Sequence, residues 1–314
     1  MHLIQPTGCD SPSGPRRSSV TGAGRGAGEG AVGCPPVDAP EWLGLERTHN
    51  PMRWILPVTP GISTGHQFLF GGCGLGAAIA ALEGSAGRPV IWATAQYLSY
   101  ATPPSIMDID VTIAVEGRQV TQARAVGHVG DREILTVNAA LGERPLEAEG
   151  QWVEPPEVPP PAECGPRMHR MEGVDSIMTR VDMRLASALS LDDLPAEQGM
   201  PGGRSALWAR IPEVLDMSAA TLAILGDYVP FGIGQALGAR AGGNSLDNTL
   251  RIGQLVPTEW VLLDVRIHAV RNGFGHGDVH LWADDGTLLA TASQSTIVRY
   301  WRDDVPGTNP QGRR

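Results

Sequence analysis

Any chemistry in this chain has to proceed without lysine, because all 24 basic side chains are arginines. A Schiff-base lysine, a phosphate-loop lysine, a biotin or lipoyl attachment point and a pyridoxal phosphate anchor are therefore excluded. The thiols are Cys9, Cys34, Cys73 and Cys164, at spacings that suit neither a zinc site nor a redox pair. Four thiols in 314 residues do not make a disulfide framework either. Cys73 reads as a packing residue, since no paired histidine accompanies it. His276 and His280 are four apart, but in a strand-like run they share one sheet face and lack a third ligand, so no metal is expected. The run Gly71-Gly72-Cys73-Gly74-Leu75-Gly76 misses the GxGxxG spacing and has no parallel strand–helix unit around it. It reads as a glycine-rich helix under a sheet, not as a dinucleotide loop.

The elements that position such residues are bounded by composition. With 34 acidic against 24 basic side chains and a formal charge of -10, the chain lacks the balance of a nucleic-acid binder. No stretch approaches the 18 or so apolar residues that span a bilayer. Arg16, Arg17 and Arg25 are not followed by an apolar core, so the start is not read as a signal peptide. A soluble, cytoplasmic protein without membrane or nucleic-acid partners is expected. The hydrophobic share of 42% is enough for a sizeable core.

Five segments follow from the pattern. Residues 1–40, rich in Gly, Pro and Ser, form a tail that cannot bury enough surface to offset its ordering entropy. Residues 41–142 and 167–302 are the folded pieces. Between them, 143–166 form a linker whose Glu154-Pro155-Pro156-Glu157-Val158-Pro159-Pro160-Pro161 favours extended polyproline geometry. Residues 303–314 form a second tail. In the first piece, Leu75, Ile79 and Leu82 at i, i+4 and i+7 predict a helix opening at Gly71. Strand-like runs follow at 90–100, 106–116, 118–128 and 133–140. In the second, Ser218 caps a longer helix, followed by strand-like runs at 245–255, 260–270, 275–282 and 288–300. A helix and then an antiparallel meander, repeated at an offset of roughly 150 residues, is an internal duplication. The two copies are expected to make one compact unit.

On these residues the chain resembles the acyl-CoA thioesterase II-like family of double hotdog proteins. The resemblance rests on Gly65-His66 and Phe70-Gly71-Gly72 at the first helix, and on Val115-Glu116-Gly117-Arg118 with Ala123-Arg124-Ala125-Val126. In the second copy it rests on Asp227 at the helix, Ser245-Leu246-Asp247-Asn248-Thr249, Glu259-Trp260, Asp285-Gly286-Thr287 and Ala292-Ser293-Gln294. It implies an α+β double hotdog: two tandem units, each a long antiparallel sheet wrapped around a central helix.

The resemblance also implies a site and a reaction. Asp247 and Gln294 fall where the family keeps its aspartate and glutamine, suited to activating and orienting a water that attacks a thioester. Gly71 and Gly72, at a helix N-terminus, would let the thioester oxygen approach backbone N–H donors. Where the family has a Thr or Ser hydroxyl, counting from Glu259-Trp260 reaches His268, which is either a structural strand histidine or a substitute hydrogen-bonding group. One site per chain is expected, because Ala93-Thr94-Ala95-Gln96 offers no carboxylate. The implied activity is hydrolysis of an acyl-CoA to the free fatty acid and CoA, without cofactor, by a homodimer or larger homo-oligomer. Two alternatives stand beside it: a non-catalytic acyl-thioester or lipid binder, and an enoyl-thioester hydratase, whose Asp-x-Asn-Pro-x-His string is absent.

Overall fold

The computed structural model describes residues 37–169, 173–214 and 216–301. Most of the tail expected over 1–40, and all of that expected over 303–314, lies outside the described residues. The last residues of the first tail are ordered: Asp38 caps a short helix, α1 (Ala39–Leu43), by accepting from the Glu41 N–H at 2.8 Å. Gly44 closes it at φ 73°, a left-handed conformation that a side chain would disfavour.

After α1 come β1 (Glu46–Arg47), β2 (Arg53–Val58), α2 (Gly71–Ala86), β3 (Val90–Tyr97), β4 (Ser105–Glu116), β5 (Val120–Val129) and β6 (Arg132–Gly142). The second half runs α3 (Ile177–Arg180), β7 (Asp182–Ser187), β8 (Arg204–Arg210), α4 (Ala219–Leu225), α5 (Val229–Leu237), β9 (Ala241–Ser245), β10 (Asp247–Ile252), β11 (Val261–Arg271), β12 (Phe274–Ala283) and β13 (Leu288–Tyr300). The strands join one sheet in the order β1-β2-β4-β5-β6-β3-β10-β13-β12-β11-β8-β7, with β9 also on β13. Every ladder is antiparallel, and the order on one side of the β3–β10 join mirrors that on the other. At the join Thr94 pairs with Thr249, their hydroxyls 2.7 Å apart. This is the double hotdog expected.

Helix α2 is buried almost all round from Gly72 to Leu82, as a helix apolar on every side must be. The sheet covers one side and α4 the other. A Cβ at Gly72 would lie 2.8 Å from the Ala223 carbonyl oxygen, and one at Gly76 would lie 2.9 Å from that of Ala220. The glycines let the two helix backbones meet.

Two expected elements are broken. The single helix after Ser218 is interrupted at Gly226-Asp227-Tyr228, because Pro230 has no N–H to continue α4 and its ring would crowd the Gly226 carbonyl. The single strand over 245–255 is split at Leu246. Ser245 pairs with Thr296 and Thr249 with Ser293, so four steps on one strand oppose three on the other. That extra residue is a β-bulge, which re-aims the side chains on either side of it.

The linker lies along the outer face of the second half. Cys164 joins a cluster with Trp208, Leu262 and Trp282, against which Val158 packs, and the Trp208 indole donates to the Pro159 carbonyl at 2.8 Å.

Candidate active site

The α4–α5 break and the β9–β10 bulge bring three polar side chains together. Asp227, in the break, is 5% exposed, and Gln294, on the inward face of β13, is 3% exposed. The Asp227 Oδ2 accepts from the Gly72 N–H at 2.7 Å. Its Oδ1 accepts from the Ser245 hydroxyl at 3.3 Å and from the Gln294 amide. Gln294 also donates from Nε2 to Ser245 Oγ at 3.1 Å, and its Oε1 accepts from the Val229 N–H at 3.1 Å. Two helix N-termini thus meet the cluster: α2, from the first half, through Gly72, and α5, from the second, through Val229. Their unpaired donors and dipoles favour negative charge at that point.

Burial pushes the Asp227 carboxyl up to about 6, against the opposing pull of hydrogen bonds from Gln294, Gly72 and Ser245. A carboxyl with that affinity holds a proton or releases it near neutral pH, as a general base requires. The neighbouring phenol of Tyr97 is held well above its usual range by burial first, then by the charges of Asp227 and Asp247. It stays neutral, with the Asn248 side chain beside it, and among the described residues its buried hydroxyl makes no hydrogen bond of normal geometry. A Cβ at Gly71 would sit 2.7 Å from Asp227 Oδ2 and 3.1 Å from Tyr97 Oη, so Gly71 keeps open the space that both face. Burial raises the Cys73 thiol as well, so it is no nucleophile.

A cavity of about 360 Å³ opens beside the cluster and is lined by Gly71, Tyr97, Asp227 and Ser245. The rest of its wall is largely apolar, including Phe68, Phe70, Tyr228, Phe231, Leu185 and Leu194.

Of the residues singled out from the sequence, Gln294, Gly71 and Gly72 meet in this cluster, together with Asp227 and Ser245, which carried the resemblance without being assigned a role. Asp247 does not. Its Oδ1 accepts from the Ser295 N–H at 2.9 Å, satisfying a donor that the bulge leaves without a ladder partner. His268 is also elsewhere: its side chain is 58% exposed, with Nε2 3.0 Å from Asp278 Oδ2. The hydroxyl sought on the strand after Trp260 is present on β9 instead, as Ser245. Gly72 departs from its expected role too, because its N–H is taken by Asp227. The signal for Asp227 was in the sequence: Pro230, three residues on, marks a helix break.

A hotdog sheet with a carboxylate, a hydroxyl and an amide closed on the central helix defines a class, and the comparisons narrow it. The model of the acyl-CoA thioesterase C-terminal domain matches residues 155–298. A candidate thioesterase from Novosphingobium aromaticivorans is 32% identical, with a TM-score of 0.72 over 81% of this chain and 97% of that one. A protein with a hot dog fold from Alicyclobacillus acidocaldarius is 17% identical, with a TM-score of 0.72 over 84% and 98% of the two chains. The acyl-CoA thioesterase II TesB2 of Mycobacterium marinum is 18% identical, with a TM-score of 0.65 over 84% and 99%. No curated protein sequence matches the chain. The chain belongs to the acyl-CoA thioesterase II-like family of double hotdog proteins. Among the described residues no helix is long and apolar enough to cross a membrane.

Proposed function

We propose that the protein hydrolyses acyl-CoA thioesters to the free carboxylic acid and CoA, at one site per chain, with Asp227 in the role the sequence reading gave to Asp247. A water beside Asp227 loses a proton to the carboxylate as its oxygen attacks the thioester carbon. The carbonyl becomes an oxyanion, the C–S bond breaks, and the proton passes from Asp227 to the departing thiolate. Ser245 and Gln294 hold the carboxylate and the water in register. The neutral Tyr97 hydroxyl is the donor placed to meet the oxyanion, in the space Gly71 leaves open.

The observation that carries this reading is the buried Asp227–Ser245–Gln294 cluster, with its raised carboxyl, at the wall of an apolar cavity. It favours an enzyme over a passive acyl-thioester binder, since lining a lipid pocket needs no buried carboxylate. Thiol release from straight-chain acyl-CoAs of increasing length tests it. Turnover at some length is expected, and tight binding without thiol release at any length would favour the binder.

Self-association belongs to the same proposal. The outer face of the first half leaves Ile91, Ile106 and Val115 exposed, whereas the linker covers the equivalent face of the second. Sedimentation velocity should give a dimer or larger species; a monomer at micromolar concentration would remove this part.

A further inference from the structure

The cavity beside Asp227 holds cationic side chains the hydrolysis does not use, Arg167 and Arg240, and of these Arg167 has its surroundings fully described. Arg167 lines it, among walls that are otherwise mostly apolar. Its backbone N–H is fixed on the Met183 carbonyl at 2.9 Å, next to the edge strand β7. The guanidinium lies over the Phe231 ring at 4.9 Å and the Tyr228 ring at 5.9 Å. Its Nη1 faces the sulfurs of Met178 at 3.7 Å and Met183 at 3.6 Å. Among the described residues no carboxylate pairs with it, and burial pulls its proton affinity below the usual arginine range.

Arg167 is half-buried at the cavity wall, and arginines drawn even partly out of water normally meet a carboxylate or phosphate, because the fork of five N–H donors is costly to leave unmatched. Thioether sulfurs are weak acceptors, and ring faces offset only part of that cost. None of the described residues supplies an anion to it, so the occupant of the cavity is the natural source. The occupant would reach Arg167 from Asp227 across a single residue: Tyr228 follows Asp227 in the chain, and its ring lies beneath the guanidinium.

We infer that Arg167 selects acyl groups carrying an anionic group on the chain, specifically a terminal carboxylate, so that the preferred substrates are CoA monothioesters of dicarboxylic acids. The inference rests on the thioesterase reading. The same chemistry could be met by a phosphate of CoA itself, but the lining around Arg167 (Met178, Leu185, Phe231) is that of an acyl pocket.

The test compares each dicarboxylic monoacyl-CoA, from about four to ten carbons, with the straight-chain acyl-CoA of equal carbon number. For wild type the ratio of kcat/KM values should favour the diacid by about tenfold or more at one length or several, the scale of a charge-assisted pair. The ratio should collapse by a similar factor in Arg167→Met and recover in part in Arg167→Lys. A wild-type ratio at or below one at every length overturns the inference, as does a ratio unmoved by Arg167→Met. A KM that rises equally for both series, and is insensitive to Arg167 once the CoA 3′-phosphate is removed, also overturns it, in favour of a phosphate contact. Should Arg167→Met fail to fold by circular dichroism, competitive inhibition of wild type by free dicarboxylates against matched monocarboxylates decides by the same ratio. If wild type cleaves neither series, the thioesterase reading has failed separately. Calorimetric Kd ratios for the same pairs then judge Arg167 alone.

Discussion

Replacing Asp227 by asparagine should uncouple stability from activity, in a way that depends on pH. The carboxyl stands at about 6 in the folded protein against an ordinary 3.8. Below the ordinary value it is neutral in both folded and unfolded chains, and its burial carries no ionisation penalty. Between the two values the unfolded chain gives up its proton first, so the folded state loses stability as pH rises. Above the folded value the loss is complete, at about 3 kcal/mol for a displacement of about two units. The penalty is about 1 kcal/mol near pH 4.5, so wild type should lose about 2 kcal/mol relative to Asp227→Asn between about pH 4.5 and about pH 8. Asparagine also forfeits a bond to one of the two carboxylate oxygens, from Gly72 or from Gln294, since its amide has a single accepting oxygen. That cost of about 1–3 kcal/mol is the same at every pH and drops out of the difference. Guanidinium unfolding of both proteins across this range measures it, as does a relative melting shift of roughly 4 °C. A mutant–wild type difference that does not change with pH would mean that Asp227 is not raised, and the general-base argument would lose its footing. The activity should change in the opposite sense, with wild-type kcat/KM falling below about pH 6 as the carboxylate is protonated.

Ser245→Ala should lower kcat by roughly 10²-fold while leaving the melting temperature nearly unchanged, because one positioning hydrogen bond is lost. Gly71→Ala should lower kcat/KM more than it lowers stability, since its methyl would press on Asp227 Oδ2 and Tyr97; a mutant as active as wild type would show that this space is not used. Gly72→Ala should instead cost about 1–3 kcal/mol of stability, because its methyl would meet the Ala223 and Ile224 backbone, and chemical denaturation reads it directly. His268→Ala, at an exposed side chain, should change kcat/KM less than about twofold.

How much was legible follows from which signals are local. The central helix showed itself because Leu75, Ile79 and Leu82 repeat at helical spacing, and β13 because its run from Leu288 to Tyr300 carries no breaker. The duplication was legible because both meanders repeat the same order. The site was harder, because it is built where that regularity fails. A helix-period reading carries straight through Gly226-Asp227-Tyr228, although Pro230 flags the break. The bulge at Leu246 has no composition of its own: it exists because β10 must pair with both β3 and β13 while β9 pairs with β13 alone. A shift of one residue sends a strand side chain to the opposite face. That step separates Ser245, turned to Asp227, from Asp247, turned to the Ser295 N–H. Arg167 could not have been read at all, since its sulfur and ring neighbours come from distant segments.

The most direct test of the central claim is thiol release from a reactive acyl-CoA by wild type, Asp227→Asn and Asp247→Asn, measured side by side. The account predicts a loss of about 10³-fold or more for Asp227→Asn and less than about tenfold for Asp247→Asn, whose amide oxygen can still accept from Ser295. Full activity in Asp227→Asn, or the larger loss in Asp247→Asn, would contradict it.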